Sequence, residues 1–122
     1  MKRVLDVGQC SADHFAIRRL IERNFQAEVL QAHDAEDALA QLRARSFVLV
    51  LVNRKLDLDQ SDGLEIVRAM KADADLAATP VMLVSNYPDY QAQAVAVGAV
   101  LGFGKSNLGA AATRELLHAY LG

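Results

Sequence analysis

Apolar residues along this chain fall into two alternating patterns. Short apolar-rich runs at 4–7, interrupted by Asp6, and at 27–32, 48–52, 81–84 and 100–103 read as five strands. Segments with helical spacing follow each of them. In the first, Ile17, Leu20 and Ile21 share a face, and Ser11 can cap it. In the second, Ala35, Ala38, Leu39 and Leu42 repeat at helical intervals behind a capping Asp34. Gly63 opens a third helix with Ile66, Val67 and Met70 on one side. A short fourth helix is predicted over 89–97 and a fifth over 110–121. Pro80 marks the entry to the fourth strand, and a polar stretch, 53–62, separates the third strand from its helix.

The third run is continuously apolar and rich in β-branched residues, as a central parallel strand covered on both faces requires. Five βα units joined by short connections predict parallel neighbours and right-handed crossovers. The expected architecture is α/β, a three-layer, doubly wound (βα)5 fold of the flavodoxin-like kind, occupying residues 1–122 as one domain. By analogy with folds of this size its strand order is 2-1-3-4-5. A ligand site in such a sheet lies at the carboxyl ends of strands one and three. Gly8, Gln9 and Asn53 occupy those ends, with Ser85 and Lys105 at the ends of strands four and five.

Composition narrows the function classes. The 122 residues are 52% hydrophobic and 23% charged, with a net charge of −2. Nothing in this balance favours nucleic acid or a membrane surface as a partner. No apolar run approaches the roughly 20 residues of a membrane span. The N-terminus lacks a secretory pattern, and the single Cys10 allows no internal disulfide. A reducing cytoplasm is the expected location.

Specific residues carry a resemblance. Asn53 ends the third strand, Gly8-Gln9 follow the first, Ser85 ends the fourth, and Lys105-Ser106 follow the fifth. Asp62-Gly63-Leu64 opens the third helix, and Gly98-Ala99 precedes the last strand. Over its whole length the chain resembles a response-regulator receiver domain of two-component, phosphorelay signalling, the CheY-like fold. The resemblance implies two acids at Gly8 and Gln9 holding Mg²⁺, a phosphoacceptor aspartate at Asn53, a phosphoryl-sensing hydroxyl at Ser85 and a pocket lysine at Lys105. Three of these five positions depart from it. Phosphoryl transfer to a carboxylate needs a nucleophile and cationic neutralisation of the phosphoryl oxygens, and Mg²⁺ prefers carboxylate and water oxygens. Where the resemblance implies a pocket of charge −2, Gly8, Gln9, Asn53 and Lys105 carry +1. The pattern reads as a degenerate pseudo-receiver.

The relay is altered too. The resemblance implies an aromatic three positions before the lysine, where this chain has Gly102; Phe103 should face the other side of the sheet. It also implies a cis Lys-Pro bond. With Ser106 in place of proline, cis would cost about 2.5–4 kcal/mol, so a trans bond is expected. The loop 54–62 reads about two residues longer than the resemblance implies and lacks its proline.

Individual side chains carry bland readings as well. Lys105 is expected to pair with Asp6 or Asp57, since an unpaired buried charge is expensive; the competing reading is an anion held in the +1 pocket. Asp6 is either Lys105's partner or a solvated strand-edge residue. Asp57, Asp59 and Asp62 lack the spacing of a calcium loop and read as a solvated acidic loop. His14, His33 and His118 have no metal-ligand spacing and read as surface or satisfied residues. Cys10 has no strong redox signal. Tyr87 and Tyr90, flanking Pro88, suit a partner surface or local packing.

No catalytic residue, metal site or cofactor is expected, and the chain is not read as an enzyme. The leading expectation is a phosphorylation-independent interaction module. Its partner is a kinase, an output domain or a second copy, met through the fourth helix, fifth strand and fifth helix. The alternatives are control by phosphorylation elsewhere or by deamidation of Asn53, and a flavodoxin-like small-ligand binder, for which Gly8-Gln9-Cys10-Ser11 is a thin phosphate loop.

Overall fold

The computed structural model describes residues 1–122. Its strands are β1 (Lys2–Val7), β2 (Ala27–Ala32), β3 (Leu49–Asn53), β4 (Val81–Val84) and β5 (Val100–Phe103). Its helices are α1 (Ser11–Asn24), α2 (Ala35–Ala44), α3 (Gly63–Ala72), α4 (Pro88–Ala96) and α5 (Ala111–Leu121), with a 3₁₀ turn at Lys105–Asn107. The strands form one sheet in the order β2-β1-β3-β4-β5, all pairs parallel. This is the predicted doubly wound fold.

Strand alternation divides the core into two layers. Leu5, Val7, Val50, Val52 and Leu83 face α2, α3 and α4, meeting Leu42, Ile66, Val67, Met70 and Ala94. Val4, Leu49, Leu51, Met82, Val84 and Phe103 face α1 and α5, meeting Ile17, Ile21, Leu117 and Leu121. Because β1, β3 and β4 are covered on both faces, their central residues are apolar, save Asp6; the polar positions are Lys2 and Arg3 at the start of β1 and Asn53 at the end of β3.

Local details sharpen the sequence reading. Asp34 caps α2 by accepting from the Asp37 N–H at 2.8 Å. Asp62 caps α3 by accepting from the Leu64 N–H at 2.9 Å. Ser11 does not cap α1. Cys10, with extended backbone angles, holds the cap position without a side-chain bond, so the serine lies inside the first turn. β1 begins at Lys2 because its polar first residues still pair with Ala27 and Glu28 of β2. No helix is long and apolar enough to cross a membrane.

Candidate functional site

The carboxyl ends of β1 and β3 meet at one backbone atom. The Gly8 carbonyl accepts from the Asn53 side-chain amide at 3.0 Å and from the Asp57 N–H at 2.9 Å. Asn53 therefore presents its Nδ2 to a carbonyl, a contact that an ionised carboxylate could not make because it has no proton to donate. Gly8 has φ +78°, a left-handed turn that favours glycine. A Cβ there would lie 2.3 Å from Leu56 Cδ2. Leu56 is wholly buried and packs directly over Gly8. The loop 54–62 thus folds inward and plugs the place where an acid at position 8 would project.

That loop is held by its own polar groups. The Leu56 N–H donates to the Ser61 carbonyl at 2.9 Å, and Gln60, with φ +61°, returns its N–H to Leu56 O at 2.7 Å. Asp59 accepts from both the N–H and the hydroxyl of Ser61, and these bonds hold its carboxyl below the usual range. Asp62 is taken by the α3 cap and by Arg54 at 2.9 Å. Arg54 also lies over the Tyr90 ring, 4.6 Å from its centroid, which ties the loop to α4. Tyr90 is half-buried against the core, whereas its edge-on neighbour Tyr87 is 65% exposed. The two tyrosines divide the roles that the sequence left open: one packs, the other faces solvent.

Lys105 pairs with neither Asp6 nor Asp57. Its Nζ meets Asp13 of α1 at 2.9 Å, and this bond lowers the Asp13 carboxyl pKa. The first turn of α1 comes close enough to the 3₁₀ turn to supply the counter-charge, whereas Asp57 stays exposed in its loop. With Asp13 included the pocket is neutral, which removes the basis for holding an anion there.

Asp6 is neither a strand-edge residue nor Lys105's partner. It is wholly buried on the α1 side of the sheet, and its Oδ2 meets His14 Nδ1 at 2.7 Å. Burial raises its carboxyl above the ordinary range, and the contact with His14 opposes that rise. His14 is thus a buried-side partner rather than a surface histidine, and the i to i+8 separation of Asp6 and His14 gave no motif to find it by. Gln9 is buried with 3% exposure, and both of its amide atoms lack a hydrogen-bond partner. His33 and His118 are exposed.

Ser85 lies one residue beyond the Asn53–Val84 pairing and is buried. Its Oγ accepts from the Tyr87 N–H at 3.2 Å, so it serves the turn into α4. The Lys105–Ser106 peptide is trans. Ser106 donates from both its N–H and its hydroxyl to Asn86 Oδ1, at 3.0 and 2.9 Å. Phe103 faces the α1/α5 layer, as strand alternation predicts, and Gly102 faces α4.

No protein-family model matches the sequence. Solved structures do match the fold. The signal receiver domain of a DNA-binding response regulator from Colwellia psychrerythraea superposes with a TM-score of 0.79 at 19% identity, over 98% of both chains. The chemotaxis protein CheY4 of Vibrio cholerae gives 0.77 at 21% identity over 99% of both. NtrX from Brucella abortus gives 0.76 at 22% identity over 96% of this chain, which spans only 28% of the NtrX chain. The fold is that of the receiver domains.

The receiver fold implies Mg²⁺ at the carboxyl ends of β1 and β3, and the residues there do not fit it. Gly8, Gln9 and Asn53 supply no carboxylate, Leu56 fills the space beside Gly8, and no group of three acidic, histidine or cysteine side chains converges. Of the acids on β1 and α1, Asp6 and Asp13 are committed to His14 and Lys105. A hard cation needing several oxygen ligands has no such set here.

Proposed function

We propose that this chain is a receiver-type domain of two-component signalling that is not phosphorylated at Asn53 and works as a protein-interaction module. One observation carries the reading: the Asn53 amide and the Asp57 N–H both close on the Gly8 carbonyl beneath Leu56. Where a phosphoacceptor would need an ionised carboxylate, an open metal site and room for a phosphoryl group, there is a neutral hydrogen-bonded plug. In this reading the domain carries out no catalytic step and works in the cytoplasm.

The partner surface in this reading is α4, β5 and α5. A groove of about 810 Å³ runs between them, floored by Gly102 and Gly104 and walled by Pro88, Val95, Leu101 and Leu116. Val95 and Leu101 are 46% and 58% exposed, and Tyr87 stands at the head of α4. The partner is a protein: a kinase, an output domain or another copy.

Incubation with acetyl phosphate, or with beryllofluoride and Mg²⁺, tests the central claim. Intact mass and the amide NMR spectrum should be unchanged. A stoichiometric acyl phosphate, or Mg²⁺-dependent shifts around Asn53, would overturn it.

A further inference from the structure

The strand pair at the edge of the sheet is irregular. Met82 pairs with Val100 and Val84 with Phe103, so one residue of β4 faces two of β5. Such a bulge leaves ladder groups without main-chain partners. Here a side chain from α4 supplies them. Gln91 is buried, and its Nε2 donates to Leu83 O at 2.9 Å and Ser85 O at 3.1 Å. Its Oε1 accepts from the Gly102 N–H at 3.0 Å. Both amide protons and the carbonyl oxygen are used, so this buried polar group is satisfied in the one geometry.

Gly102 makes that geometry possible. A Cβ there would lie 2.1 Å from Leu83 O and 3.2 Å from Gln91 Oε1. Any side chain would push β5 off β4 and off the glutamine. The amide links three elements at the corner that also carries Ser85 and the groove.

We propose that Gln91 is a fixed latch, a side-chain substitute for the missing β4–β5 pairing that locks α4 onto the sheet in one arrangement. The geometry of the latch stands by itself. Its consequence, that the α4–β5–α5 surface is permanently set rather than switched, rests on the interaction-module reading above.

Amide hydrogen exchange by NMR tests it. In the wild type the Gly102 N–H should be protected to the same degree as the Ser85 N–H, which bonds to Phe103 O, and relaxation dispersion should be flat along α4. Gln91→Leu should accelerate Gly102 exchange at least tenfold, and leave the Leu56 N–H in the plugged loop unchanged. Gln91→Glu, which keeps an acceptor for Gly102 but loses both donated bonds when ionised, should shift the Gly102 and Ser85 resonances at neutral pH and recover them in part on acidification, which restores one donor. An unprotected Gly102 or millisecond exchange along α4 in the wild type would overturn the latch, as would unchanged Gly102 protection in Gln91→Leu. Failure of the phosphorylation-independent reading would appear separately, as acyl phosphate on a protein whose Gly102 remains protected.

Discussion

Two side-chain amides hold two corners of this sheet, and they do so with opposite results. At the β1–β3 end, Asn53 makes a single bond to Gly8 O and Leu56 packs over Gly8, so the space beside Gly8 is filled. At the β4–β5 edge, Gln91 makes three bonds across a bulge, and the glycines around it leave a groove open to solvent. A carboxylate changes its partners when it meets a metal, a proton or a phosphoryl group. An amide does none of these at ordinary pH, because it is neutral and keeps the same donors and acceptor. Both corners are therefore built as fixed joints: one closes the turn at Gly8, the other sets a surface.

The largest test attacks the sealed corner. Gly8→Asp would force a side chain into a left-handed turn and into Leu56. Backbone strain and overpacking together should cost about 3–5 kcal/mol, measured by urea unfolding. Gly102 protection should survive, since the corners share no hydrogen bond. Loss of protection at both would show that they are one unit and break the comparison.

The next test concerns the charged exception between them. Asp6 and His14 form the one buried contact of titratable groups, so acid–base sensitivity should concentrate there. His14→Leu leaves a buried carboxylate without its partner and should cost about 3 kcal/mol at neutral pH. Because burial raises Asp6 in the folded state, the folded chain keeps a proton that the unfolded chain has already released. Stability from this group is therefore greatest below the ordinary carboxylate range and falls as pH rises through the raised folded value. Measured against Asp6→Asn, which removes this group's contribution, the fall should extend to higher pH in His14→Leu than in the wild type, read from urea midpoints between acid and neutral pH. A flat profile in His14→Leu would mean that Asp6 is not sealed from water.

Much of the fold was legible because it depends on burial alone. The all-apolar run ending at Val52 could only be a strand covered on both faces, and Asp34 announced its helix by position. That Gly8, Gln9 and Asn53 bring no carboxylate was legible by residue type. What fills the gap was not. The polar loop holds two leucines, Leu56 and Leu58, and nothing in their local sequence distinguishes the buried one from the exposed one; the left-handed turns at Gly8 and Gln60 accompany the inward fold of Leu56. Lys105's partner was missed because Asp13 lies ninety-two residues away in sequence, on the first turn of α1. Gln91 is one polar residue of the short α4. Nothing local signals that it faces a bulge, because the bulge arises from the pairing of two other elements.

The smallest effect is the most discriminating. Asn53→Asp changes no volume, yet it turns a donor toward Gly8 O into an ionised acceptor facing another acceptor. The lost bond and the acceptor–acceptor contact should cost about 1–2 kcal/mol at neutral pH. A protonated carboxyl could still donate to Gly8 O, so the folded state should favour the protonated form and raise this group above its unfolded value. The penalty should then shrink as pH falls, which urea unfolding of the variant against the wild type would read directly. Restoring the nucleophile restores neither the acids at Gly8 and Gln9 nor the space under Leu56, so acetyl phosphate and Mg²⁺ should leave the variant's mass unchanged. If Asn53→Asp did take up a phosphoryl group, the loop 54–62 would have to swing off Gly8 to admit it, and this corner would be a latent switch rather than a fixed joint.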